Sequence, residues 1–303
     1  MGIPSNDEDS GGHKMNTLAR AAGGSCLAAL IVFLGLTIAG LAGCGSTSKI
    51  SVTDPPTTRA NITGNWQFAA VPNGGSTVPF AVYLTSTDGA ASGNAWIQIA
   101  IPASCTGTGC CGSAFAGFNP SLTGTIDANN NLTLGSTVAN GGPVFTMAGV
   151  VSGGTLTNGS FTLTSSCPAQ NAQGTITGTE YPTLSGTYAG TLTSQTSGQS
   201  YAVSANFDQS ATLNSRGFFD VNGTANFIGY PCMTSAAVAT PLDMNSGFLG
   251  NNVTVTMNAV PGGTLIVIGT FSPDGKTLAT TYYFILMGSS CNNDTGTGLL
   301  TLQ

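Results

Sequence analysis

Short runs in which apolar and polar residues alternate recur along this chain from residue 61 onward. Examples are VPFAVYLT (78–85), SFTLT (160–164), VTVTM (253–257) and TLIVIGTF (264–271). A period of two sends successive side chains to opposite faces of an extended backbone, so each run reads as a strand with one buried and one solvated face. Between the runs stand DGAASG, DANNN, SGG and SPDG. Their Gly, Asn and Asp residues tolerate the positive φ angles that tight hairpins demand. Composition points the same way: charged residues make up only 6% of the chain, and Thr, Ser, Gly, Asn and β-branched residues replace the usual helix formers. About eight strands per unit, at roughly 8–12-residue spacing, predict an all-β fold of antiparallel barrels or sandwiches.

The pattern also repeats on a longer scale. ITGNWQF (62–68) resembles LSGTYAG (184–190), which sets Trp66 over Tyr188 at an offset of 122. NNLTLGS (130–136) matches NNVTVTM (251–257), and Gly141-Gly142 matches Gly262-Gly263, both at 121. SGGTLT (152–157) pairs with DGKTLA (274–279) at 122, and SSC (165–167) with SSC (289–291) at 124. Solenoid and propeller periods are far shorter, so the repeat predicts two duplicated β domains, residues 61–181 and 182–303, meeting where Pro182 interrupts the strand pattern.

The N-terminal part differs in kind. HKMNTLAR (13–20) supplies Lys14 and Arg20 ahead of the apolar run CLAALIVFLGLTIAGL (26–41), the arrangement of a secretory signal. Met15 is an alternative start, and an uncleaved anchor over Ala21–Gly43 is the competing reading. Leu41-Ala42-Gly43-Cys44 resembles the bacterial lipobox, whose pattern is Leu, a small residue, Gly or Ala, then Cys. The resemblance implies removal of residues 1–43, diacylglycerol on the Cys44 sulfur and acylation of the new amino group. Several acyl chains would anchor the protein durably. Gly45 stands where that family's inner-membrane retention signal has Asp, which favours the outer membrane. Residues 44–60, with Pro55-Pro56 and no apolar periodicity, read as a flexible tether.

Six cysteines remain beyond the lipobox: Cys105, Cys110, Cys111, Cys167, Cys232 and Cys291. An exported chain with an even count favours disulfides. Aligning the repeats sets Cys105 against Cys232 and Cys167 against Cys291, which predicts the bridges Cys105–Cys167 and Cys232–Cys291. Cys110 and Cys111 either pair with each other or one takes the place of Cys105; an all-Cys zinc site is a further alternative.

Little in the chain points to catalysis. Its only histidine, His13, lies in the signal segment, so Ser-His-Asp and Cys-His devices and His-based metal sites are excluded from the exported part. Glu180 is isolated at the domain boundary, and Asp208, Asp220 and Asp243 are the remaining source of a hydrolytic carboxylate pair. The acidic loops 127–131 and 292–296 lack the ligand spacing of calcium sites and read as turns. Beyond Cys44, Lys49, Arg59, Arg216 and Lys276 face eight Asp and one Glu, a net charge of about −5 that excludes a basic nucleic-acid surface. Finally, Gly64-Asn65-Trp66 resembles the Gly-x-Trp opening of lipocalin-type barrels, with Gly186-Thr187-Tyr188 as its counterpart. That resemblance implies a barrel holding a small apolar ligand in its mouth, although GTGLLTLQ (296–303) lacks the family's basic residue over the Trp. The expectation is a lipid-anchored envelope protein without catalytic residue, cofactor or metal, binding a small apolar ligand or glycan. The alternatives are a structural or adhesive surface protein and, more remotely, an Asp-based hydrolase.

Overall fold

A computed structural model describes residues 58–100, 115–118, 120–136, 143–165, 171–239, 246–288 and 291–303. Cys44, Cys105, Cys110, Cys111, Cys167 and Asp243 lie outside them, and with them the Cys105–Cys167 bridge and the lipid attachment.

The first half of the described chain forms β1 (Gly64–Pro72), β2 (Val78–Thr87), β3 (Ala90–Ala100), β4 (Phe115–Phe118), β5 (Ser121–Ile126), β6 (Asn131–Ser136), β7 (Val144–Ser152), β8 (Thr155–Thr164) and β9 (Ala172–Tyr181). The second half repeats the order with β10 (Ser185–Ser194), β11 (Ser200–Leu213), β12 (Phe219–Ile228), β13 (Ser235–Val238), β14 (Gly247–Leu249), β15 (Asn252–Val260), β16 (Thr264–Phe271), β17 (Thr277–Ile285) and β18 (Asp294–Leu302). All pairings are antiparallel. β9 returns to β1 with Asn65 opposite Tyr181, and β18 returns to β10 with Tyr188 opposite Leu302, so each sheet closes on itself. The result is two closed eight-stranded barrels in tandem. One wall position in each is shared by two short segments: β4 and β5 both lie along β3, and β13 and β14 both lie between β12 and β15. Closure pairs the first and last strands of each sheet, which removes the open edges that are a hazard for chains this rich in β-formers.

The turns follow the local chemistry. Asp88-Gly89 joins β2 to β3 with φ of 52° and 86°, and Gly153-Gly154 joins β7 to β8 with φ of 54° and 73°. These are two-residue turns with both central residues in the left-handed region, matching the twist of the flanking strands. In the 127–131 loop the Asp127 carboxylate accepts hydrogen bonds from the backbone N–H of Asn129 and Asn131 and from the Asn131 side chain. The Asn131 amide first, then these backbone donors, hold its carboxyl below the usual range. Its oxygens are engaged in building the turn.

Every second residue faces inward, and aromatic side chains fill both interiors. In the first barrel Trp66, Phe68, Phe80, Phe145 and Phe161 form a continuous column, with centroids 5.1–6.1 Å apart at successive contacts. Trp66 and Phe68 are fully buried. In the second, Tyr188 meets Phe207 and Phe271, and Phe271 meets Phe248. The repeat-equivalent Trp66 and Tyr188 do the same work through different partners. Trp66 donates its indole N–H to the Ile62 carbonyl just before β1, whereas the Tyr188 hydroxyl donates across the barrel to Gly275 in the β16–β17 turn. Each places a large apolar body inside while satisfying its polar atom.

The two barrels belong to one compact unit. The Gly250-Asn251 turn between β14 and β15 reaches onto β1. There Asn65 donates to the Gly250 carbonyl (2.9 Å) and accepts from its N–H (2.7 Å). Tyr83, on the outer face of β2, meets Phe219 of the second barrel edge-on.

Candidate functional site

In the second barrel the end bearing the Gly250-Asn251 turn faces the first barrel. The opposite end carries the β10–β11, β12–β13, β15–β16 and β17–β18 connections. There Cys232 and Cys291 form a disulfide, joining the β12–β13 and β17–β18 loops across 59 residues of chain. The bridge that the repeat predicted for this domain is present.

Just inside that end lies the most unusual group of the described chain. Asp294, the first residue of β18, is 4% exposed. It accepts hydrogen bonds from Ser194 (2.7 Å), Tyr230 (2.5 Å) and Tyr282 (2.9 Å). Tyr282 can lie across β18 because Gly296 is opposite: a Cβ there would come within 2.4 Å of the tyrosine ring and 2.1 Å of the Thr193 carbonyl. Burial pushes the Asp294 carboxyl up, but the hydrogen bonds from Tyr230, Ser194, Thr196 and Tyr282 outweigh it and hold the group below its ordinary value. Burial, and then the carboxylate, push both tyrosines well above the usual phenol range. Near neutral pH the carboxylate therefore stays ionised and both phenols stay protonated. The gap bounded by Leu192, Tyr201, Phe227, Tyr230, Met233, Leu265 and Tyr282 is too narrow for a water molecule. This is a sealed polar plug under the disulfide.

Loop 292–296 reads as a plain turn in the sequence, but its Asp294 belongs to the barrel interior. Asn292 and Asn293 do serve the turn, accepting from the Leu286 N–H and the Tyr283 hydroxyl. Asp294 does not. The signal was parity: stepping back in twos from the buried Leu300 passes Gly298 and Gly296 and lands on Asp294. Among the described residues the other carboxylates do not converge. Asp208 lies exposed within β11 rather than near a turn, because that strand runs on to Leu213. Asp220 on β12 accepts from the Asn214 side chain in the turn below it. Glu180, near the end of β9, is half-buried, and burial raises its carboxyl.

Among the described residues both interiors are packed with side chains, and the open spaces lie outside the barrels. A cleft of about 380 Å³ opens where they meet. Asn94 and Ala95 of β3 form one wall; the β11–β12 turn (Asn214 to Phe218) with Leu213 and Leu249 forms the other. The Asn214 side chain caps that turn by accepting from the Arg216 and Phe218 N–H groups, which fixes the polar wall. Arg216 also reaches the Ser246 carbonyl. Asn94, Ser215 and Arg216 thus line the cleft beside Leu213, Phe218 and Leu249. A second hollow of about 420 Å³, lined by Arg59, Asn61, Ser86 and Asp88 among others, lies where the chain enters the first barrel.

No protein-family model matches the chain, and neither does any curated protein sequence. Among solved structures, kievitone hydratase from Nectria haematococca is similar at 9% identity and a TM-score of 0.25. The match covers 81% of this chain and 90% of that one. An agreement of this size transfers neither activity nor substrate.

Proposed function

We propose that this chain is a lipid-anchored envelope protein, attached through Cys44 and probing its surroundings with a non-catalytic binding module. Its ligand is a neutral glycan held in the cleft between the barrels. The observation that carries this reading is the character of the cleft, which is lined by the polar residues Asn94, Ser215 and Arg216 beside the apolar Leu213, Phe218 and Leu249. Sugars present hydroxyls at their rims and C–H faces between them, which such a mixed wall matches. Filled barrel interiors weigh against a small apolar ligand held inside, and the sealed, ionised Asp294 weighs against acid–base catalysis.

Saturation-transfer NMR on the full chain in detergent, against a panel of neutral oligosaccharides, tests the reading. Transfer is expected from at least one saccharide and should vanish in Ser215→Trp, which fills the cleft from an exposed position. Absence of transfer from the whole panel, or transfer unchanged by the substitution, would sink it. The anchor is tested separately by intact mass: the membrane-extracted protein should lack residues 1–43 and carry acyl mass. The filled interiors also favour the second reading, a structural or adhesive surface protein, which predicts no saccharide transfer.

A further inference from the structure

The end of the second barrel that points away from the first carries exposed apolar residues on adjacent connections. Met287 is 89% exposed, Ile228 73% and Val260 53%. Pro261 is exposed and Leu286 half-exposed beside them. Their adjacency follows from the pairing: the Thr234 N–H donates to the Val260 carbonyl, tying the loop after Ile228 to the β15–β16 turn. A Cβ built on Gly262, in that turn, would lie 3.8 Å from the Leu286 side chain, so the two connections are neighbours. The surface of the rim carries no charge. Residues 194–200, 228–235, 260–264, 286–288 and 291–293 contain no Asp, Glu, Lys, Arg or His, and the carboxylate of Asp294 just inside this end is enclosed. Just below it, on β17, the part-exposed Tyr283 donates its hydroxyl to Asn293, an amphipathic side chain at the border of the apolar patch.

We infer that this rim is a membrane-contacting surface, inserting its apolar residues among the headgroups and upper acyl chains of a lipid bilayer. It stands apart from the glycan reading, and it draws on the lipid anchor only for nearness to the membrane. Three observations select lipid over a second copy or a protein partner. A rim of four connections without a single charge offers no electrostatic register for a protein partner, whereas a bilayer needs none. The chain beyond Cys44 carries a net charge of about −5, so its charge-free end is the part that an anionic bilayer does not repel. The reach also suffices. The 14 residues from Gly45 to Thr58 span up to about 50 Å when extended, more than the roughly 30 Å length of a barrel built from nine- or ten-residue strands.

The test uses the lipid-anchored chain, residues 44–303, reconstituted in phosphatidylcholine vesicles containing brominated acyl chains. Met287→Trp places a reporter at the rim, at a position so exposed that folding is unaffected. Thr297→Trp places one on the barrel wall, and the parent chain with Trp66 and Trp96 supplies the background. Above that background, the rim reporter is expected to shift to the blue and to be quenched at least twofold more than the wall reporter. Neither effect should change in high salt or with anionic lipid added. Equal quenching at the two positions would overturn the proposal, as would quenching that needs anionic lipid and disappears in salt. Sedimentation velocity in detergent covers the competing occupant: a dimer of the parent chain that Met287→Asp dissociates would overturn it too.

Discussion

Replacing Asp294 by Asn tests whether the buried carboxylate stabilises the second barrel. The side chain accepts from Ser194, Tyr230 and Tyr282 and is almost fully enclosed. A hydrogen bond to a charged group contributes about 1 kcal/mol more than a neutral one. Three such bonds set the loss near 3 kcal/mol, and relief of the carboxylate's desolvation offsets part of it. The expected cost at pH 7 is about 2–3 kcal/mol, or a fall in melting temperature of roughly 5–10 °C for a unit of this size. The pH dependence is the sharper readout. A carboxyl held below its ordinary value in the folded state binds its proton more weakly there than in the unfolded chain. Its contribution is therefore complete above the unfolded value and lost as pH falls through the folded one. The penalty of Asp294→Asn should shrink when melting is followed by circular dichroism from pH 7 down to pH 3. A penalty that is constant over this range, or a variant more stable than the parent at pH 7, would refute an ionised, net-stabilising Asp294.

The remaining expectations concern other joints of the fold. Gly250→Ala would place a Cβ 2.1 Å from the Gln67 side-chain oxygen and 2.8 Å from Ala81, at a φ of +63°. It should loosen the barrel–barrel contact, and calorimetry should resolve two transitions where the parent shows one. Cys291→Ser opens a loop of 59 residues, a loss of about 4 kcal/mol by the loop-entropy estimate. Denaturant unfolding should show that loss in the second barrel, with little change in the first. Trp66→Phe leaves the Ile62 carbonyl without its indole donor and opens space beside Phe68. It should destabilise the first barrel by about 2–3 kcal/mol, whereas Tyr188→Phe, which keeps the ring and loses only the bond to Gly275, should cost about 1 kcal/mol.

Much of this architecture was legible in the chain itself. Alternating apolar and polar residues impose extended backbone with one buried face, and Asp88-Gly89 and Gly153-Gly154 impose tight reversals, because both are local consequences of side-chain direction and φ preference. The 121–122-residue repeat carried the duplication and the Cys232–Cys291 bridge for a similar reason: equivalent sequences build equivalent wall positions. The candidate sites were not legible in that way. Barrel closure depends on β9 finding β1 and β18 finding β10, partners more than a hundred residues apart, and no local pattern separates that from two packed sheets. Asp294 looks like any turn aspartate until the barrel wall turns it inward and brings Ser194, Tyr230 and Tyr282 to its oxygens. Asn65 and Gly250, 185 residues apart, and the cleft between Asn94 and the Arg216 turn exist only through packing of one barrel on the other. Sequence alone determined which residues of the alternating runs point in and where the chain reverses, since those depend on neighbours along the backbone. Tertiary structure decided which polar groups meet, because a hydrogen bond over such separations is set by where the closed walls place its two ends.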